Sequence, residues 1–164
     1  MMKAIFFATS TGNTEEVANK IHEKLDGFEI VDISKDGISK LKDCEIAIIG
    51  TPTWGDGELQ DDWEDCFDEF KQIDFNGKTV ALFGLGDQDS YGDEFANALG
   101  TLYEVVSNNG ANIVGFTSIE TYDFEESTAV VGEEFVGLVI DEDNQPELTD
   151  ERIESWCENI STFF

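Results

Sequence analysis

The sequence predicts an α/β fold of three layers, an open sheet of parallel strands with helices packed on both faces. Three observations predict it. Short runs rich in Val, Ile and Phe recur near residues 4–8, 28–33, 45–50, 79–85 and 112–116. They are short and largely apolar, as strands buried on both faces are. Between them lie stretches with helical periodicity, near residues 13–25, 59–71, 93–108 and 149–163. The connections are short, and no linker, repeat or low-complexity tract breaks the alternation. A length of 164 residues fits one domain with a full core, so residues 1–164 are expected to form a single domain.

Each element has its own signal. Ala4, Ile5, Phe6, Phe7 and Ala8 make the first strand, and Val17, Ala18, Ile21 and Leu25 share one face of the helix that follows. His22, the only histidine, lies among charged neighbours on that helix and reads as a surface residue. In the third unit Leu59, Trp63, Phe67 and Phe70 repeat at helical spacing. They alternate with Asp56, Glu58, Asp61, Asp62, Glu64, Asp65, Asp68 and Glu69, which gives a helix with an apolar inner face and an acidic outer one. Asn109 and Gly110 stop the fourth helix. A polar, Thr- and Glu-rich segment at 118–134 then departs from the alternation, and an apolar run at 135–140 follows it. This reads as an excursion that interrupts the fifth strand, which then resumes. Thr149 or Asp150 caps the last helix, whose buried stripe is Ile153, Trp156, Ile160 and Phe164.

Composition narrows the function. With 37 acids against nine bases the formal net charge is −28. Such a surface repels nucleic acid and anionic lipid, whose binding is driven by cationic side chains. It would attract a basic protein partner and steer the encounter; solubility or adaptation to a salty cytoplasm would call for the same charge. Cys44, Cys66 and Cys157 are widely spaced with no C-x-x-C pair, so neither a disulfide framework nor a thiolate metal site is expected. No stretch of about 18 apolar residues could cross a membrane, and no signal-peptide pattern opens the chain, so a reducing cytoplasm is the expected location.

The most informative stretch is Thr9, Ser10, Thr11, Gly12, Asn13 and Thr14, which joins the first strand to the first helix. A strand entering a helix through a hydroxyl-rich turn makes an anion site, since free backbone N–H groups and the positive helix end converge there. Asn13 stands where a nucleotide-triphosphate loop would carry lysine. Neutral donors alone suit one terminal phosphate. The alternative is a helix capped by Thr11 or Asn13 with no ligand.

Ligands of open parallel sheets bind at the carboxyl ends of the strands, where strand order reverses. Two other loops fall there. One is Thr51, Pro52, Thr53, Trp54, Gly55, Asp56 and Gly57; the other runs from Gly84 through Gly86, Asp87 and Gln88 to Tyr91. Trp54 and Tyr91 belong to no apolar periodicity and sit among turn residues. Two loop aromatics beside a phosphate turn describe a slot for a flat ring with a phosphate tail.

On these motifs, on the interrupted fifth strand and on Asp141, Glu142, Asp143, Asn144 and Gln145 before the last helix, nearly the whole chain resembles the flavodoxins of the long-chain type. Flavodoxins are themselves an instance of the switch-point rule, with strand order 2-1-3-4-5. The resemblance implies a flavodoxin-like three-layer sheet of five strands in that order. It also implies a non-covalently held FMN and a monomeric low-potential one-electron carrier, not an enzyme. Residue by residue, Thr9, Ser10, Thr11, Gly12, Asn13 and Thr14 would hold the phosphate. Trp54 and Tyr91 would cover the two ring faces, within loops that include Thr51, Pro52 and Thr53. Gly55, Gly86 and Asp87 would present backbone groups to the polar ring edge, and Asp143 would approach the ribityl chain. Implied partners are basic redox proteins, such as a flavodoxin/ferredoxin reductase and an enzyme that accepts or donates electrons. No metal site is expected.

Two other functions share this architecture. An FMN-dependent quinone or azo reductase would need a substrate pocket over the ring, whereas Trp54 and Tyr91 are placed to close both faces. A receiver-type signalling domain would need acids after the first strand and an aspartate after the third, where Thr9, Ser10, Gly50 and Thr51 stand. No nucleophile with a neighbouring base and no metal-ligand cluster is apparent.

Overall fold

The computed structural model describes residues 1–54 and 57–164. Five parallel strands build the main sheet: β1 (Lys3–Phe7), β2 (Glu29–Asp32), β3 (Ile46–Pro52), β4 (Thr79–Leu85) and β5 (Asn112–Val114), in the order β2-β1-β3-β4-β5. The predicted order holds. Four long helices cross between or follow the strands: α1 (Asn13–Lys24), α3 (Asp61–Lys71), α4 (Asn97–Asn108) and α5 (Thr149–Ile160), with a short α2 (Ile33–Asp36) after β2.

Alternation along the strands sends side chains to two cores. Ala4, Phe6, Ala47, Ile49, Val80 and Leu82 pack beneath Trp63, Phe70, Leu99 and Leu102 of α3 and α4. Ile5, Phe7, Ile46, Ile48, Ala81 and Phe83 pack beneath Val17, Ile21, Ile153 and Trp156 of α1 and α5. The central strands come close enough that a Cβ on Gly50 would lie 2.0 Å from the Phe83 ring.

The excursion closes as expected and is more ordered than its sequence implies. After β5 the chain forms β6 (Thr117–Ser118), β7 (Val130–Val131) and β8 (Glu134–Phe135), a small antiparallel sheet in the order β6-β8-β7. It then returns as β9 (Leu138–Ile140), which pairs with Phe83, Gly84 and Leu85 of β4 where β5 had paired with Thr79, Val80 and Ala81. The fifth strand is thus interrupted and resumed. The run at 135–140 is not continuous, because its two ends serve different sheets. Gly137 marks the junction, where a Cβ would lie 2.1 Å from the Leu82 carbonyl oxygen.

Two boundaries differ from expectation. α4 begins at Asn97 rather than near 93, with Ala96 in the left-handed region at φ 53°. Phe95 is fully buried and stacks on Phe124 of the excursion, at 5.3 Å between ring centroids. That packing turns the chain before the helix starts. β2 ends at Asp32, whose carboxylate accepts from the Ser34 N–H at 3.0 Å and caps α2.

Candidate functional site

The carboxyl ends of β1, β3 and β4 lie side by side, with Phe7 beside Gly50 and Pro52 beside Leu85. The sheet changes direction between β1 and β3, so a crevice opens there. α1 starts at this crevice. Its N-cap is Gly12, at φ 94°, and no side chain caps the helix. Thr9 Oγ1 accepts from the Gly12 N–H at 2.9 Å, and the Gly12 carbonyl accepts from Glu16 at 3.0 Å. The capped alternative, with Thr11 or Asn13 satisfying the helix end, is therefore not what forms. The first-turn N–H groups remain available to an anion.

A cavity of about 310 Å³ extends from this helix end across the sheet edge. Thr11, Asn13 and Thr14 line it from the turn into α1, Pro52 from the end of β3, and Thr53 and Trp54 from the loop that follows. Leu85 lines it from the end of β4, Gly86, Asp87 and Tyr91 from the loop that follows, and Glu142 and Asp143 from the loop after β9. Trp54 is 40% exposed and Tyr91 43%. Large aromatic side chains left this open at a cavity rim are unsatisfied apolar surface that a flat ring would cover.

Not every expected residue touches the cavity. Thr9, Ser10 and Gly12 shape the turn without lining it. Thr51 is fully buried behind the wall, its hydroxyl donating to the Pro52 carbonyl at 2.8 Å. Gly55 and Asp56 lie outside the described residues. Leu85, the last residue of β4, and Glu142, named in the sequence only as part of the acidic stretch at 141–145, also belong to the wall, though neither had been assigned a site role.

Behind the wall a polar network joins the loops. Asp141 is fully buried, and its carboxylate accepts from the N–H groups of Gln88, Asp143 and Asn144 and from both side-chain amides, those of Gln88 and Asn144. The Asn144 amide also donates to Asp87 at 2.8 Å, and the Gln88 Oε1 accepts from the Asp123 N–H of the excursion. The three carboxylates of Asp87, Asp141 and Asp143 come within 4.8 Å of one another. The first two are engaged by N–H donors, which suits a staple between loops better than a cation site. Burial alone would raise the Asp87 carboxyl, but donors from Ser90 and Asn144 bring it below its ordinary value. Asp143 is raised, first by burial and then by the charges of Asp87, Asp141 and Glu142.

The Trp54 loop closes on itself through paired hydrogen bonds between Trp54 and Glu58, at 3.0 and 2.7 Å. Thr53 Oγ1 accepts from the Ala98 N–H at 3.3 Å, which ties the same loop to α4.

The donor set fits FMN. Uncapped N–H groups with the Thr11 hydroxyl suit a terminal phosphate, and the Trp54 and Tyr91 rings with the Leu85 floor suit an aromatic ring system. The histidine and the cysteines are elsewhere. His22 lies exposed on α1 with Nε2 bonded to the Phe28 carbonyl at 2.9 Å. Burial pushes the thiols of Cys44, Cys66 and Cys157 up to about 11, and none of them lines the cavity.

Fold and site define a doubly wound α/β protein that offers a bare helix end and two open aromatic rings at its switch point. The chain belongs to the flavodoxin family, whose model, described as Flavodoxin, matches residues 5–156. It is 48% identical to a Synechocystis flavodoxin over 95% of this chain and 94% of that one. It is likewise 48% identical to flavodoxin 1 of Escherichia coli K12, over 96% of this chain and 91% of the relative. A mutant Fusobacterium nucleatum flavodoxin bound to flavin mononucleotide superposes with a TM-score of 0.95 at 37% identity, covering 99% of this chain and 96% of that one.

Proposed function

We propose that this protein is a low-potential one-electron carrier of the long-chain flavodoxin type, holding FMN non-covalently at the β1/β3 switch point. The carrying observation is the pairing of an uncapped α1 N-terminus with the exposed rings of Trp54 and Tyr91 on one cavity. Bound FMN supplies the one-electron chemistry. The chain's part is to bind, orient and tune. The turn from Thr9 to Thr14 holds the phosphate with neutral donors, so affinity rests on aligned hydrogen bonds rather than ion pairs. Trp54 and Tyr91 would cover the ring faces and exclude water, Gly86 and Asp87 would present backbone groups to its polar edge, and Asp143 would approach the ribityl chain; Gly55, expected at the same edge, lies outside the described residues. Added negative charge on the ring meets a phosphate, apolar flanks and a net charge of −28, none of which stabilises it, and the potential is low accordingly.

The partners are basic redox proteins, a flavodoxin/ferredoxin reductase and an electron-accepting or electron-donating enzyme, met by a monomeric single domain in the cytoplasm. The quinone or azo reductase reading is not favoured, since the relatives reported above are named flavodoxins.

Fluorescence titration tests the site. FMN binds far more tightly than riboflavin, and Thr11→Val weakens FMN by about 1–3 kcal/mol through the lost charge-assisted bond while leaving riboflavin unaffected. Equal affinity of the wild type for both flavins would remove the phosphate assignment. Stepwise reduction followed in the visible spectrum resolves two one-electron steps. NADPH–quinone turnover by the protein alone would instead identify a reductase.

A further inference from the structure

Gln60 stands at the N-cap of α3 and is 3% exposed. Its Oε1 accepts from the Asp62 N–H at 2.8 Å and caps the helix. Its Nε2 faces three acceptors, Asp62 Oδ2 at 2.8 Å, Ser10 Oγ at 3.0 Å and the Thr9 carbonyl at 3.5 Å. Capping uses only the oxygen. Ser, Thr, Asp and Asn cap at least as well on shorter side chains. What glutamine adds is reach, which carries a buried N–H pair out of its own helix and onto the turn at the head of α1. Thr9 passes the contact on, because its Oγ1 accepts from the Gly12 N–H at 2.9 Å. On its other side Gln60 follows the bridge between Trp54 and Glu58 by two residues. Two residues of chain thus join the Trp54–Glu58 bridge to Gln60, and hydrogen bonds carry the contact on from Gln60 to the turn at the head of α1.

We propose that Gln60 is a positioning residue for the phosphate turn. Its amide fixes Ser10 and the Thr9 carbonyl, and with them the aim of the first N–H groups of α1. Gln60 itself is not among the residues that line the cavity. The proposal rests on the reading of the cavity as an FMN site, and it goes further in assigning phosphate discrimination to a residue of the Trp54 loop that makes no contact with the ligand.

Gln60→Ser is the informative variant, since serine keeps the cap and cannot span to Ser10. Gln60→Met is the companion, since it keeps the length and loses both cap and donor. FMN and riboflavin affinities are measured for all three proteins, with the thermal melt of each apoprotein and the phosphorus resonance of bound FMN. In both variants the preference for FMN over riboflavin narrows about three- to tenfold, as the loss of one or two net hydrogen bonds implies. Riboflavin affinity is unchanged, and the phosphorus resonance shifts. The apoprotein melt falls only in Gln60→Met. An unchanged preference and resonance in Gln60→Ser would overturn the proposal and leave Gln60 as a helix cap. An equal loss for both flavins would overturn it in favour of general loosening. A wild type that binds the two flavins alike would overturn the FMN reading along with it, and the wild-type titration alone separates that failure from the others.

Discussion

Asp143 and Asp87 sit on the same cavity wall with carboxyl groups displaced in opposite directions, and this gives them opposite effects on stability. A raised acid is charged against its surroundings at neutral pH, so Asp143 opposes folding there and ceases to do so once it is protonated. Asp87, lowered by its N–H donors, supports folding above its unfolded value near 3.9, and that support fades as pH falls through its depressed folded value. Asp143→Asn is therefore expected to raise the apoprotein melting temperature at pH 7 and to leave it unchanged near pH 3. A gain that persists in acid would point to packing instead. Trp54 and Tyr91 were legible in the sequence because each is an aromatic outside any periodicity. Gln60, and the loop-joining bonds of Gln88 and Asn144, were not, because polar residues in polar loops carry no pattern and partners such as Ser10, Asp123 and Asp87 lie distant in the chain.

Among the elements, α1 and α3 act most directly on function. α1 starts at a glycine with no side-chain cap, which leaves its positive end to a ligand. α3 buries Trp63 and Phe70 and turns Asp61, Glu64 and Asp65 to solvent. Asp62 is different, for its carboxylate accepts from Gln60 and belongs to the site's frame. Neutralising Asp61, Glu64 and Asp65 together is expected to lower the association rate with a basic reductase several-fold at low salt, without altering the flavin spectrum. Stopped-flow rates unaffected by these changes would place docking elsewhere. The amphipathic pattern of α3 was readable because its apolar spacing is helical along its whole length. The start of α4 was not, because Phe95 and Ala96 take their conformation from the Phe124 and Phe135 rings of the excursion.

For the whole molecule, a formal charge of −28 sets up self-repulsion that the five ion pairs among the described residues offset only locally. Raising ionic strength from about 0.01 M to 0.15 M shortens the screening length from about 30 Å to 8 Å. The apoprotein melt is expected to rise over that range, by about 2–4 °C for each kcal/mol of repulsion removed, while electron transfer with a basic partner slows. Calorimetry at a series of salt concentrations checks the first, and a flat profile would mean that the charges are spaced widely enough not to oppose folding. The sequence by itself determined the layered fold, the interrupted fifth strand, the hydroxyl-rich turn into α1 and the two loop aromatics. Each is written as a local period, or as a residue type out of place in one. Tertiary structure alone decided that α1 would be left uncapped, that Thr51 would stand behind the wall, and that Gln60 and Asp141 would tie separate loops into one rim. These depend on which polar groups of distant segments meet in a buried space, and hydrogen-bond satisfaction there is a property of the folded molecule.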